Sequence, residues 1–347
     1  MHVYDLGSAP WLHSQLVYHA LPRLGMEGLI LVSPAEPYVC IGYHQDVSQE
    51  VDLEACQALK LPVFRREVGG GAVYLDGGQL FYQIVLRREH PLARGSKADF
   101  YARFLEPVAQ TYRDLGVQAS FRPVNDIVTA EGRKISGNGA AEIGQGVVLV
   151  GNLIVDFDYE TMVRVLKVPD EKFRDKVHKS LRENLTTLRR ELGTVPPREV
   201  LVGTLRRNLE QVLGPLEDAP LPPAVWEEVA RLERTHTAPE WLYGVHRPAG
   251  ERKVRISGDT QVIRNTYKAP GGLIRATLEV KAGHIVSVDL SGDFFLYPQD
   301  ALRDLEERLA GAPLEAASEI IAAFYREREV ESPGVTPADW VAALRMA

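Results

Sequence analysis

The stretch Arg65-Arg66-Glu67-Val68-Gly69-Gly70-Gly71-Ala72-Val73-Tyr74-Leu75-Asp76 decides how this chain is read. An apolar run at residues 61–64 leads into it, and a second, aromatic-containing run at 80–86 follows. Three consecutive glycines between two strand-like segments let the backbone turn through dihedrals closed to other residues. They also let another molecule approach the main chain without meeting a Cβ. Amide N–H groups exposed in this way form an anion cradle, and two arginines set fixed, fork-shaped positive charge beside it. A plain strand–turn–strand with solvated arginines accounts for this stretch alone equally well, because such turn signals are common.

A second stretch lies further on. Asn125-Asp126-Ile127-Val128 precedes Arg133-Lys134-Ile135-Ser136-Gly137-Asn138-Gly139-Ala140-Ala141. Taken together, RREVGGGAVYLD, ND and GRKISG, in that order, resemble the motifs of the lipoate–protein ligase A family within the biotin/lipoate ligase superfamily. The likeness starts near Ile41-Gly42-Tyr43-His44-Gln45 and continues past Ser180-Leu181-Arg182-Glu183-Asn184 to the C-terminus. A lone GGG or a lone KISG is a weak signal. Both at this separation, with ND between them, are specific.

The chain has 347 residues, enough for about two domains. Its formal charge of -7 and the lack of a basic block disfavour a nucleic-acid partner held through phosphates. The first residues lack the basic and apolar blocks of a signal peptide, and no run approaches the roughly 20 apolar residues that span a bilayer. A cytoplasmic location with no membrane association is expected.

Residues 13–21 read as a helix, and 28–33 and 38–43 as strands. Residues 49–59 carry helical spacing that buries Cys56, and Cys40 lies in an apolar strand. Residues 96–115 form an amphipathic helix with Phe100, Phe104, Val108 and Tyr112 on one face. Strands are expected at 119–121, 127–129, 134–136 and 146–157, with a turn at Gly137 and Gly139 that puts Lys134 on a hairpin strand. Helical spacing resumes at 159–166, the charged stretch 169–184 reads as mobile, and helices are expected at 197–213 and 223–235. Beyond residue 245, strands at 252–257, 260–267, 273–280 and 284–290 precede helices at 298–309, 315–327 and 336–346. This segregated order marks a small α+β unit. The expected class is α+β: a large catalytic domain of mixed β-sheets flanked by helices, residues 1–244, plus a small α+β C-terminal domain, residues 245–347. The resemblance agrees, since the family's larger members carry an accessory domain that matches here at Ser291-Gly292-Asp293-Phe294-Phe295.

The residues support carboxylate activation by ATP. Negative charge crowds where a carboxylate meets the α-phosphorus, and a lysine between them stabilises the transition state. Lys134 suits this, being a compact charge on a reaching stem. Asp126 offers a carboxylate that either holds Mg²⁺ across phosphates or orients the lysine. The resemblance assigns Lys134 as catalytic, in contact with both acyl carboxyl and adenylate. It places Arg65, Arg66, Gly70, Gly71, Ala72, Val73, Tyr74 and Asp126 around ATP or lipoyl-AMP, with Asp126 near Mg²⁺. It places His44 near the acyl pocket, although a lone histidine is more often structural. The implied acceptors are lipoyl domains of 2-oxoacid dehydrogenase acyltransferase subunits or the glycine cleavage H protein.

Two residues depart from the family pattern. Val68 stands where serine usually precedes the glycines, and Val150 where many members have histidine. Both bear on the choice between lipoate and octanoate more than on adenylation. The alternatives are an ATP-independent octanoyl or lipoyl transferase of the same fold, which would need an activated cysteine, and a non-catalytic acyl-binding relative. Biotin ligation fits less well, because those enzymes carry a differently composed glycine-rich loop.

Overall fold

The computed structural model describes residues 1–168, 170–244 and 260–345. The expected strand at 252–257 and the domain boundary at 244/245 fall on or beside residues outside these. The strands are β1 (His2–Ala9), β2 (Gly28–Pro34), β3 (Tyr38–Ile41), β4 (Val63–Arg65), β5 (Val73–Leu75), β6 (Gln79–Arg87), β7 (Ala119–Arg122), β8 (Asp126–Thr129), β9 (Lys134–Ile143), β10 (Gly146–Ile154), β11 (Glu217–Asp218), β12 (Thr260–Ala269), β13 (Gly272–Lys281) and β14 (His284–Gly292). They build an eight-stranded mixed sheet in the order β11-β1-β2-β6-β10-β9-β8-β7 and two three-stranded sheets, β4-β3-β5 and β12-β13-β14.

The chain divides into two compact units. The first comprises Met1–Cys40, Val51–Phe64 and Val73–Thr237. The second comprises Ile41–Glu50, Arg65–Ala72 and Ala238–Ala347. The glycine segment therefore belongs to the same unit as the C-terminal residues, and Lys134 to the other.

In the first unit, β2, β6, β10, β9, β8 and β7 pair antiparallel in sequence, while β1 pairs parallel with β2. The helix Lys97–Asp114 buries the expected stripe of Phe100, Phe104, Val108 and Tyr112. Ser96 caps it, its hydroxyl accepting from the Asp99 N–H at 3.1 Å. One local expectation fails. Gly137 and Gly139 do not turn the chain: neither lies at positive φ, and β9 runs through both to Ile143, with Gly139 opposite Val150 of β10. The reversal falls at Gly144, where φ is 54°. The charged stretch read as mobile is a helix, Glu171–Asn184, with Asp170 accepting from the Phe173 N–H at 2.8 Å. Asp175, Lys176, Lys179, Arg182 and Glu183 are exposed along it, and the capping aspartate marks its start.

In the second unit, β13 alternates strictly. Ile274, Ala276, Leu278 and Val280 are buried, and the residues between them half-buried. The helices Ala301–Leu309, Ala317–Glu327 and Pro337–Leu344 close over that face with Leu305, Ile321, Phe324 and Trp340.

Candidate active site

Lys134 opens β9 and Asp126 opens β8. The two strands pair antiparallel, with a register shift between Ile127 and Val128 that sets Lys134 opposite Val128. The lysine Nζ reaches diagonally to Asp126 Oδ1 at 2.7 Å. Arg122 stands directly opposite Asp126 on β7 and donates from Nη2 to the other oxygen, Oδ2, at 3.0 Å. Burial pushes the Asp126 carboxyl upward, but the charges and hydrogen bonds of Lys134 and Arg122 outweigh it and hold the group below the usual carboxylate range. The lysine side chain remains 36% exposed. It is an ammonium held in place yet open to solvent.

This geometry bears on Mg²⁺. Both oxygens of Asp126 face cations, Oδ1 toward Lys134 and Oδ2 toward Arg122, and each oxygen keeps a further lone pair that a metal could use. The contact of Asp126 with Lys134 fits orientation of the lysine and leaves the role of metal ligand open as well.

The strand behind Lys134 is held by side chains. Tyr112 donates its hydroxyl to the Ile135 carbonyl at 2.7 Å. Ser136 Oγ donates to the Asn152 carbonyl at 2.7 Å, and the Gly137 N–H to Asn152 Oδ1 at 2.8 Å. Asn138 and Asn125 exchange hydrogen bonds between side-chain amides and main-chain carbonyls, and the Tyr82 hydroxyl donates to Asn138 Oδ1. The Asn of the Asn-Asp pair thus ties down the turn that delivers Asp126. Sequence reading missed Arg122, Tyr82, Asn138 and Asn152 as contributors. Asn152 carried one legible signal, a polar residue inside an apolar strand.

Val73 and Tyr74 lie in β5. Tyr74 is buried, and burial together with Asp76 and Asp158 raises its hydroxyl well above the ordinary phenol range. Asp76 accepts the Gly78 N–H at 2.8 Å, as a turn aspartate does.

The second unit holds the other motif residues. Arg65 is 1% exposed. Its Nη1 donates to the carbonyls of Gly42, Tyr43 and Gln45, at 3.2, 2.7 and 2.6 Å. Its Nε and Nη2 donate to Trp241 and Leu242 carbonyls at 3.2 and 2.7 Å. Arg66 Nη2 donates to the Gly69 and Gly71 carbonyls at 2.8 and 2.9 Å. The glycines meet the chain's own backbone: a Cβ on Gly69 would lie 2.8 Å from the Phe294 carbonyl oxygen, and one on Gly42 1.9 Å from that of Gly70. Gly70 sits at φ 91°. Gly71 and Ala72 are half-buried, and a Cβ on Gly71 would meet nothing nearer than Asp293 at 3.7 Å. Val68 is 1% exposed, and burial suits valine there better than an unpaired hydroxyl. His44 is buried and stacks on Phe294 at 5.0 Å between ring centroids.

With this geometry in view, comparison with known proteins is decisive. The model of the lipoyl protein ligase A/B catalytic domain matches residues 12–211, and that of the bacterial lipoate protein ligase C-terminus matches residues 262–329. The chain belongs to the lipoyl protein ligase A/B family. It is 28% identical over 263 residues to the lipoate-protein ligase LplJ of Bacillus subtilis, covering 75% of this chain and 74% of that one. It is 29% identical over 230 residues to the octanoyltransferase LipM of Kyrpidia tusciae, covering 60% of this chain and 83% of that one. A structure described for an archaeal bipartite lipoate protein ligase and its E2 lipoyl domain, from Thermoplasma acidophilum, superposes with a TM-score of 0.63 and 25% identity, over 71% of this chain and 97% of that one. Among the described residues, no helix is long and apolar enough to cross a membrane.

Proposed function

We propose that this member of the family is an ATP-dependent lipoate–protein ligase that accepts lipoate or a similar medium-chain acid such as octanoate. The observation that carries the reading is Lys134, a partly exposed ammonium held at 2.7 Å by a carboxylate whose other oxygen is bound by Arg122. In the first step a carboxylate oxygen of the acid attacks the α-phosphorus of ATP, and the bond to pyrophosphate breaks. Lys134 sits between the two anionic groups and stabilises the charge that builds there. Asp126 holds the ammonium in place, and the arginine–glycine segment contributes main-chain groups and charge toward the nucleotide through Arg66, Gly70, Gly71 and Ala72, with Val73 and Tyr74 beyond. Arg65 supports that segment through its carbonyl contacts. In the second step the neutral amine of an acceptor lysine attacks the acyl carbonyl. AMP leaves, the amine loses its proton, and an amide forms; positioning is the main requirement. The proposed acceptors are lipoyl domains, of 2-oxoacid dehydrogenase acyltransferase subunits or of the glycine cleavage H protein, in the cytoplasm.

The state of the cysteines favours this reading over an ATP-independent transferase. Cys40 and Cys56 are 0% and 2% exposed. Burial, with Asp52 nearby, pushes the Cys56 thiol up to about 11, the opposite of an activated nucleophile. The test is the intact mass of a lipoyl domain after incubation with enzyme, lipoate, ATP and Mg²⁺. A mass gain of one lipoyl group that requires ATP is expected. Acylation from a carrier thioester without ATP would overturn the reading in favour of the transferase.

A further inference from the structure

We infer that Gln79 and Asn152 are positioning residues that tie the strand bearing Lys134 to the main chain of Tyr74. The inference rests on the function proposed above for what Lys134 does, and on geometry for the tie itself. The β9–β10 ladder runs as far as the pair Gly151–Asn138. One residue further, the Asn152 side chain takes over, its Oδ1 accepting the Gly137 N–H at 2.8 Å. Asn152 Nδ2 donates to Gln79 Oε1 at 2.7 Å. Gln79 Nε2 donates to the Tyr74 carbonyl at 3.2 Å. Gln79 lies opposite Ile154 on β6, so it is a diagonal neighbour of Asn152 on one sheet face.

The chain of amides has a direction, and its ends impose it. A main-chain N–H can only donate and a carbonyl can only accept. Gly137 therefore requires the Asn152 oxygen on its side, which turns the Asn152 amino group toward Gln79. Tyr74 requires the Gln79 amino group, which turns the Gln79 oxygen toward Asn152. Reversing either amide would set N–H against N–H or O against O. Gln79 is 1% exposed, where such a mismatch is costly. The tie also reaches the lysine. A Cβ on Gly137 would lie 3.7 Å from Asn152 Oδ1 and 3.8 Å from Lys134 Cε, so the lysine stem, Gly137 and the asparagine oxygen converge on one spot. Val73 and Tyr74 follow directly on the glycine segment in sequence. The relay therefore sets where the ammonium stands relative to main chain that leads out of that segment.

The experiment uses full-length protein with Gln79→Ala, Asn152→Asp and the double substitution. Asn152→Asp keeps an acceptor for Gly137 but replaces the donor to Gln79 with a carboxylate oxygen set against Gln79 Oε1, so it breaks the relay without leaving the glycine amide unpaired. Two quantities are read: hydrogen exchange at the Gly137 amide, and kcat and KM for ATP in lipoate-dependent pyrophosphate release. Gln79→Ala should speed exchange at Gly137, which it does not itself bond, and lower kcat roughly 10-fold with KM for ATP nearly unchanged, because misplacement acts on the reacting geometry. The double variant should lose no more than the larger single one. Unchanged exchange at Gly137 in Gln79→Ala, or losses that multiply in the double variant, would overturn the relay. If wild-type protein releases no pyrophosphate with lipoate or octanoate, the proposed function fails, and the exchange measurement alone decides the relay.

Discussion

Arg65-Arg66 and Arg133-Lys134 look alike in sequence, two adjacent cations entering a glycine-containing motif, but they do different work. Arg65 is 1% exposed and turned to the carbonyls of Gly42, Tyr43, Gln45, Trp241 and Leu242. Five donors in a planar fork suit that task, because each can serve a separate main-chain oxygen. Lys134 is a single point charge on a flexible stem, 36% exposed and held by one carboxylate. A cation satisfied by several carbonyls at once is fixed scaffold, whereas a partly exposed one held by a single half-buried carboxylate can exchange that partner for an incoming anion. Their neighbours differ too: Arg66 donates to the Gly69 and Gly71 carbonyls, and Arg133 pairs with Glu191 at 2.9 Å and Glu131 at 3.6 Å.

The comparison breaks first if Lys134 proves dispensable. Lys134→Ala should slow both lipoyl-adenylate formation and transfer from supplied adenylate by about 10²–10³, the usual cost of removing one placed transition-state donor. The melting temperature should move little, because the side chain is partly exposed and buries little apolar surface. Pyrophosphate release and transfer, measured separately, check this. Near-normal rates in both would return Lys134 to the status of a surface lysine.

How much of this could be read beforehand follows from which interactions are local. The Phe100–Phe104–Val108–Tyr112 stripe and the β13 alternation were legible, because the 3.6- and 2-residue periods are written in the side chains themselves. The run of β9 through Gly137 and Gly139 was not. Glycine is permitted in turns but is equally at home in a ladder where neighbours crowd the backbone, and a Cβ on nearby Gly151 would lie 2.1 Å from Asn138 Oδ1. The association of residues 65–72 with 238–347 was also hidden. It depends on contacts such as Arg65 with Leu242 and Gly70 with Phe294, made across more than 170 residues. For the site, Lys134 and Asp126 stood out by motif, whereas Arg122 did not, since its role comes only from its place opposite Asp126 in the β7–β8 pairing.

A second measurement sharpens the scaffold half of the comparison. Arg65→Met removes the donors to those carbonyls while keeping a long apolar stem. Leaving buried acceptors without donors costs about 1–3 kcal/mol for each that water cannot reach, so a loss of about 3 kcal/mol is expected in urea unfolding. Arg66→Met, which releases the Gly69 and Gly71 carbonyls, should cost less. If Arg65→Met unfolds at the wild-type urea concentration but no longer binds ATP, the arginine belongs with the ligand contacts and the contrast with Lys134 collapses.

The smallest effect concerns the Asp126–Lys134 pair and its dependence on pH. Asp126 is depressed in the folded protein: burial opposes this, but Lys134 and Arg122 prevail. Its unfolded value is that of an ordinary aspartate, about 3.9. A depressed carboxylate contributes stability that is fully present above the unfolded value and is lost as pH falls through the folded one. The contribution should therefore be intact at neutral pH and decline only below about pH 4. Its size is limited because both partners keep solvent contact, at 36% and 23% exposure, and pairs of that kind are worth about 0.2–1 kcal/mol. Asp126→Asn should accordingly cost no more than that at pH 7, and the cost should fade toward pH 3 and with added salt. Activity should fall further than stability does, because an asparagine cannot hold the ammonium by charge. Urea unfolding of both proteins at pH 7 and pH 3, set beside adenylation rates at pH 7, checks the point. A large stability loss at both pH values with unchanged adenylation would make Asp126 scaffold like Arg65, and the line between the two regions would have to be redrawn with Lys134 alone on its reactive side.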